Sequence, residues 1–332
     1  MCTTLRVDGF TGQDVTGGSS LTAAGLLFAT HAVHHLVERV ERMLMSASAA
    51  RLVEQVVDNA RYPLRDPSGT GWRDVVSRVR QDLDTVGCSV LPDFVRPALR
   101  EALRRECEEI APRAYYDVET VNAYNTDADP SLPDGHPARM TIERGNAFVA
   151  RDCIPDELII HRLYTSPLFQ LFVARCFALP QVHELADPLS GLCLNVIAPG
   201  RAHPWHFDTN EFTVSMVTQE PEAGGVFEYC PNIRSARAEN FEDVRAVLAG
   251  RGEHLIRRLA LRPGYLQLFT GRYSLHRVTS VDGTARHSAI FAYSQRPGVI
   301  GTVARTRQLF GRVAAAHLAA EGRAVRVDQL MD

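Results

Sequence analysis

The chain has 332 residues, of which 45% are hydrophobic and 23% charged, as in an ordinary globular protein that buries a substantial core. Its formal net charge of −3 gives no long-range attraction for phosphate backbones or anionic membranes, so we expect neither nucleic acid nor a membrane as partner. The sequence contains no lysine, which excludes Schiff-base and phosphate-loop lysine chemistry and leaves the binding of anions to arginine.

The N-terminal part of the chain differs in character from the rest. Residues 1–20 are rich in Gly, Ser and Thr, whereas residues 21–60 repeat apolar side chains at three- and four-residue spacing. This pattern predicts a loose segment followed by an amphipathic helix. We expect residues 1–60 to form an N-terminal extension, whose helix could either cap the core or mediate a homodimer.

The cysteine pattern indicates a reducing compartment. The seven cysteines are scattered and never form a CxxC pair, and Cys88 and Cys193 lie within apolar runs, where a reduced buried thiol is usual. The chain has no run of about 20 apolar residues, as a membrane span needs, and no signal-peptide pattern. We therefore expect a cytoplasmic protein.

Helical patterns dominate the chain up to residue 178. Helices are predicted at residues 72–85, at 95–110, which Pro97 opens, and, as one or two helices, at 155–178. A strand is predicted at 87–94, a pair of strands at 141–150, and a polar loop that could act as a lid at 126–138.

From Gly191 onward, short alternating segments separated by Gly, Pro and Asp predict strands, interrupted by one helix at about residues 240–250. The segments are GLCLNVIA, EFTVSMVTQ, GVFEYCP, LRPGYLQLF, SLHRVTSV and RHSAIFAYS. Many short strands of this kind are typical of a sandwich or barrel. We therefore expect an α+β protein with helices packed on one face of a β-sandwich.

Two histidines and a carboxylate lie close together in HPWHFD, residues 203–208. On an extended strand the side chains of His206 and Asp208 project to the same face. The best candidate for a third ligand is His276, in the strand-like segment SLHRVTSV. Two His and one carboxylate on one face leave coordination positions open, which suits non-haem Fe(II) and oxygen chemistry.

A guanidinium and a hydroxyl follow the third candidate ligand. Arg286 and Ser288, in RHSAIFAYS, are again two residues apart, so both can face the interior of the sandwich. They could bind one carboxylate of a short dicarboxylate whose other end, an α-keto acid, chelates the iron.

In this order and spacing, HxD, a distal His and RxS resemble the Fe(II)/2-oxoglutarate-dependent oxygenases. The resemblance implies Fe(II) as the metal and 2-oxoglutarate and O2 as co-substrates. It also implies a double-stranded β-helix core (jelly roll, cupin-like), which we expect at about residues 140–298 of a single catalytic domain, residues 61–332.

A narrower resemblance concerns HPWHFDTNEFTVSMVTQEPEAGGVFEYCPNIR and LFTGRYSLHRVT, which are similar to hydroxylases and halogenases of free amino acids. In those halogenases the carboxylate position is Gly, which leaves room for chloride; here it is Asp208, so the resemblance implies hydroxylation. It further implies that His203 contacts the substrate and that Asn195 faces the co-substrate.

Three further side chains allow more than one interpretation. Arg272 could bind the co-substrate, bind a substrate carboxylate or form a salt bridge within its loop. Tyr293 could line the pocket or pack in the core, and Glu228 could meet a cationic substrate or be exposed.

The expected activity is hydroxylation of a small polar metabolite, a free amino acid or a derivative, in secondary metabolism. A desaturase, cyclase or epoxidase would use the same residues, because the outcome depends on where the target C–H bond lies. The alternative from another class is a metal- and 2-oxoglutarate-binding protein without turnover.

Overall fold

The computed structural model describes residues 53, 55–127, 129–210, 212–322 and 330–331, which belong to one compact unit, Ser48–Asp332. Most of the predicted N-terminal extension, including the loose segment and the helix proposed to dimerise, lies outside these residues. Val53, Val56 and Val57 are buried in the main hydrophobic core, so the chain joins this core before residue 60.

The helices are α1 (Thr70–Val86), α2 (Arg100–Ile110), α3 (Ile159–Tyr164), α4 (Pro167–Cys176), α5 (Phe241–Leu248), α6 (Val303–Phe310) and α7 (Ala315–Ala320). The strands are β1 (Cys88–Leu91), β2 (Glu119–Asn122), β3 (Thr141–Arg144), β4 (Ala147–Val149), β5 (His183–Glu184), β6 (Leu192–Ile197), β7 (His203–His206), β8 (Thr213–Gln219), β9 (Ala223–Gly224), β10 (Phe227–Cys230), β11 (Arg257–Leu259), β12 (Leu266–Phe269), β13 (Leu275–Val278), β14 (Val281–Asp282) and β15 (Arg286–Ser294). Short 3-10 turns precede and follow α2, at Pro97–Leu99 and Ala111–Arg113.

Two antiparallel sheets form the core of the protein. The large sheet has the order β1-β12-β8-β15-β6-β4, with β5 attached to β15, and the small sheet has the order β11-β10-β13-β7. Along the chain, β6, β7, β8 and β10 alternate between the large and the small sheet, and β12, β13 and β15 alternate again after β11. This winding between two sheets is the double-stranded β-helix, so the predicted jelly roll is confirmed.

The helices α1 to α4 cover the outer face of the large sheet, as predicted. Val79 of α1, Leu103 of α2 and Phe172 of α4 are buried in one core with Leu268 and Phe291 of the sheet. The helix α1 ends at Gly87, whose left-handed conformation (φ +66°) lets its N–H cap the helix at Leu83 and turns the chain into β1.

Side chains along each strand of the large sheet alternate between the helices and the interior. On β15, Ala289 and Phe291 pack against the helices, whereas Ser288, Ile290 and Ala292 line an internal cavity. The large sheet therefore has two different faces: its outer face packs against the helices, and its inner face, together with that of the small sheet, lines the cavity.

Two features differ from the sequence-based expectations. The segment at residues 141–150 does form two strands, but β3 pairs with β2 and β4 with β6, so they are not a hairpin. The helices α6 and α7 follow the last strand without having been predicted, and α6 lines the cavity. Among the described residues, no helix has the length and apolar character needed to cross a bilayer.

Candidate metal centre

A cavity of about 1230 Å³ opens between the inner faces of the two sheets. It brings together seven of the ten residues that the sequence indicated: His203, His206, Asp208, His276, Asn195, Arg286 and Ser288. The candidate metal ligands and the candidate co-substrate residues therefore share one enclosed space.

A β-bulge allows two histidines of one strand to face this cavity. His203 and His206 of β7 lie opposite Val278 and His276 of β13, so three steps on β7 match two on its partner. In a regular strand, side chains three residues apart point to opposite faces. The extra residue of the bulge lets the side chains of His203 and His206 both point to the inner face. Their rings stack with centroids 3.9 Å apart.

The three predicted ligands converge. Asp208 Oδ1 lies 3.9 Å from His206 Nε2 and 3.5 Å from His276 Nε2, and one ligand atom from each residue falls within 4.8 Å of the others. Both imidazoles donate from Nδ1 to a backbone carbonyl, His206 to Pro204 at 2.8 Å and His276 to Ser274 at 2.9 Å. These bonds fix the tautomer that presents Nε2 as a lone pair to a metal.

The carboxylate ligand lies just beyond the end of β7 and is held by its surroundings. Its backbone N–H donates to the carbonyl of Gly271, and its Oδ2 accepts a hydrogen bond of 2.5 Å from Thr213 Oγ1. Burial alone would raise the pKa of Asp208, but the neighbouring His276 and His206 imidazoles and the Thr213 hydroxyl lower it overall. The ionised carboxylate therefore keeps Oδ1 for the metal.

Both histidines of β7 favour the neutral form. Burial, with the nearby histidines, lowers the pKa of His206 well below its ordinary value, and burial, with His276 and the surrounding arginines, does the same for His203. Neutral imidazole is the metal-binding form, so the site is prepared for a cation. Two imidazole nitrogens and one carboxylate oxygen are the donor set of the non-haem iron facial triad.

The residues expected at the co-substrate also meet. Arg286 Nη1 donates to Ser288 Oγ at 2.6 Å, and Asn195 pairs across the sheet with Ser288. Burial lowers the pKa of Arg286 to about 10, and among the described residues no carboxylate lies within salt-bridge distance of it. The buried Asn195 Nδ2 has no partner within the protein, which fits an amide awaiting a ligand.

Three predicted residues are not brought to the cavity. Tyr293 faces the helices and donates its hydroxyl to the carbonyl of Tyr164 at 2.8 Å, so the packing interpretation applies. The Arg272 side chain is fully buried outside the cavity lining, beside Arg234. These two positions offer no contact to a ligand in the cavity.

Glu228 is neither exposed nor at the cavity, which corrects both interpretations of it. Its carboxylate accepts from Arg258 Nε at 2.8 Å and from Arg277 Nε at 2.7 Å, the residues opposite it on β11 and β13. Phe227 and Tyr229 face the large sheet, so the alternation of β10 directs Glu228 outward.

Among the cavity residues that the sequence did not indicate, two bear directly on the site. Thr213, at the start of β8, donates a hydrogen bond to the carboxylate of Asp208. It lies five residues after Asp208 and on a different strand, so the two-residue period of a strand could not identify it. Arg305 lines the cavity from α6. The only sequence signal for Arg305 was the absence of lysine, which means that any anion must be bound by an arginine.

The jelly roll, the facial triad and the buried arginine together define an Fe(II)- and 2-oxoglutarate-dependent oxygenase. Within this class the chain belongs to the halogenase D family, whose model matches residues 72–299. No curated protein matches the chain.

Several solved structures show a partial likeness to this chain. The α-ketoglutarate-dependent carbocyclase SnoK from nogalamycin biosynthesis is 14% identical, with a TM-score of 0.47 over 73% of this chain and 95% of that one. A prolyl hydroxylase from Trichoplax adhaerens is 14% identical, with a TM-score of 0.44 over 69% and 96%. A 2OG-Fe(II) oxygenase from Burkholderia pseudomallei is 16% identical, with a TM-score of 0.42 over 67% and 92%.

Proposed function

We propose that the protein hydroxylates a small polar metabolite, a free amino acid or a close derivative. The observation that carries the proposal is the Asp208 carboxylate, whose Oδ1 is 3.5 Å from His276 Nε2 at the third ligand position. The halogenases that the chain resembles have glycine there, which leaves room for chloride. A carboxylate in that place fills the position that a halide would need.

The chain's own residues have separate tasks in this reaction. His206, His276 and Asp208 would hold the ferrous ion, and Arg286 with Ser288 would bind the distal carboxylate of 2-oxoglutarate. When bound, iron and 2-oxoglutarate activate dioxygen for C–H oxidation, with release of succinate and carbon dioxide. The protein contributes orientation and the exclusion of water.

Aromatic rings provide part of that exclusion. The Phe269 ring meets the His276 ring edge-on at 4.8 Å between centroids, and the Phe227 centroid lies 5.7 Å from it. Both side chains line the cavity beside the metal ligand. They cover the imidazole on the protein side and leave the opening of the cavity for substrate.

Polar residues of the segment 117–127 in the cavity lining favour a polar substrate. Asp117, Glu119, Thr126 and Asp127 line the cavity with polar groups and carry both hydrogen-bond acceptors and negative charge. His203, stacked on the metal ligand His206, lies where a substrate would meet the site. We assign the activity to the proposed catalytic domain of residues 61–332, together with the residues from Val53 that pack into its core.

The test is anaerobic loading with Fe(II) and 2-oxoglutarate, followed by air, chloride and a panel of amino acids. We expect products that have gained one oxygen atom, with succinate formed in equal amount. Products that have exchanged hydrogen for chlorine would contradict the proposal, and products that have lost two hydrogens would replace hydroxylation by desaturation.

A further inference from the structure

We propose that Arg305 of α6 binds a carboxylate group of the substrate and so restricts this enzyme to acidic or zwitterionic metabolites. This inference rests on the proposed function and specifies its substrate class. It assigns a role to a residue that lies outside the jelly roll, on a helix that follows the last strand.

Arg305 is a charged, partly exposed group that lines the cavity without a direct ion pair among the described residues. Its guanidinium lines the cavity and donates to Gln308 Oε1, which is a neutral acceptor. Among the described residues, no carboxylate lies within salt-bridge distance of it. The side chain is only partly exposed, and the carboxylates whose charge acts on it, Asp208 and Glu119, lie beyond salt-bridge distance. A cation partly withdrawn from water without a direct ion pair favours a ligand that brings the negative charge.

The helix that carries Arg305 is held firmly against the cavity. Thr302 caps α6 by accepting from the Arg305 N–H at 3.2 Å, and Arg144 of β3 donates from Nη2 to the carbonyl of Gln308 at 3.2 Å. A guanidinium on a fixed helix loses little freedom when it binds a carboxylate in a bidentate manner.

The other arginines near the cavity have partners or a proposed role, except Arg307, which lies at an exposed position of α6. Arg144 forms an ion pair with Glu119, and Arg286 bonds Ser288 where the co-substrate would end. Arg305 is therefore the cation left for a second carboxylate. Burial, followed by the nearby Arg144, lowers its pKa to about 9, so it remains protonated at neutral pH.

The position of Arg305 suits a substrate rather than the co-substrate. Arg305, His203 and the ligand Asp208 line the same cavity, and His203 stacks on the metal ligand His206. Arg286 instead bonds Ser288 on β15, where the co-substrate would end. A carboxylate bound at Arg305 would thus share the cavity with the metal ligands, and the rest of the substrate could reach the reacting centre.

The experiment compares L-amino acids with their carboxamides as probes. The protein is loaded with redox-inert Zn(II) and 2-oxoglutarate, and the increase in melting temperature on adding each probe is measured for wild type, Arg305→Ala and Arg305→Lys. We expect acids to raise the wild-type melting temperature more than amides do. Arg305→Ala should bind the acids about 10- to 100-fold more weakly, as for a lost charged hydrogen bond, with Arg305→Lys in between.

Arg312→Ala is the matched control, since Arg312 also follows β15 but pairs with Asp152 at the surface. It should respond to probes as wild type does, and all variants should keep their affinity for 2-oxoglutarate. An acid response that survives in Arg305→Ala, equal responses to acids and amides, or no response of wild type to any acid would each overturn the inference. Acids that bind through Arg305 but yield no oxidised product would instead contradict the proposed hydroxylation.

Discussion

The guanidinium carbon of Arg234 lies 3.8 Å from the centroid of the Phe207 ring, and Phe207 separates His206 from Asp208 in the chain. Arg234 is almost fully buried, and its Nε donates to the carbonyl of Arg272 at 2.6 Å. A buried cation therefore holds the ligand-bearing segment and the loop beside it as one unit. This packing places Asp208 next to the histidines, although Asp208 itself lies outside the strand.

Replacing Arg234 should weaken both the fold and the metal site. Arg234→Ala removes the donor of the Arg272 carbonyl and the cationic partner of Glu239 Oε2, so we expect a loss of about 2–4 kcal/mol in stability. Iron affinity should fall as well, because the backbone around Asp208 loosens. Thermal unfolding and Fe(II) titration measure the two effects. Arg237→Ala, an exposed arginine of the same loop, is the control. Wild-type values for Arg234→Ala would show that the packing has no such role.

A single methyl group at Gly271 should displace the carboxylate ligand. A Cβ built there would lie 2.6 Å from Asp208 Cγ, far inside van der Waals contact. We expect Gly271→Ala to remain folded but to bind Fe(II) on the order of 100-fold more weakly, as when a supporting contact of a metal ligand is lost. Gly71→Ala, where the nearest atom is 3.4 Å away, should bind iron normally. Unchanged iron affinity in Gly271→Ala would mean that Asp208 is not a ligand.

Local periodicity accounts for most of what the sequence could predict. The pairs His206/Asp208 and Arg286/Ser288 were identified because residues two apart share a face of a strand. The same rule, applied to Arg286 and Ser288, assigns Tyr293 to the opposite face of β15, where it packs against the helices. Of the two interpretations left open for Tyr293, the alternation along β15 could thus have excluded the pocket and kept the packing in the core.

Other features depend on contacts that are distant in sequence. The β-bulge that turns His203 inward arises from the pairing of β7 with β13, and a single strand does not reveal it. Arg305 reaches the cavity only because α6 folds back over the sheets. The burial of Glu228 between two arginines likewise follows from the strand order β11-β10-β13.

Binding of 2-oxoglutarate should depend on Arg286 strongly and on Ser288 moderately. Arg286→Ala removes the charged partner of the distal carboxylate, so we expect the KM for 2-oxoglutarate to rise on the order of 100-fold. Ser288→Ala, which removes a neutral hydroxyl, should raise it about 3- to 10-fold. Succinate formation at varied 2-oxoglutarate measures both. The hydroxyl of Tyr293 bonds the carbonyl of Tyr164, away from the cavity, so Tyr293→Phe should leave the KM unchanged. An increase in the KM of this variant would contradict the assignment of Tyr293 to the core.

Stability below neutral pH should depend on His287. This side chain is buried on β15, its Nδ1 has no hydrogen-bond partner, and burial lowers its pKa to about 4. The ordinary pKa of about 6.5 applies to the unfolded chain. As pH falls from 6.5 towards 4, the unfolded chain therefore takes up a proton that the native protein excludes, and stability is lost over this window.

Removing the imidazole should remove that loss. Between about pH 7 and pH 4.5, the free energy of unfolding of His287→Gln should fall by about 2–3 kcal/mol less than that of wild type. Each unit of difference between the folded and unfolded pKa contributes about 1.4 kcal/mol. Urea unfolding at both pH values measures the change. His254→Gln, at an exposed histidine, should show the wild-type dependence. If His287→Gln and wild type lose the same stability on acidification, then the native and the unfolded protein take up the proton at His287 over the same pH range. The acid sensitivity would then come from other groups.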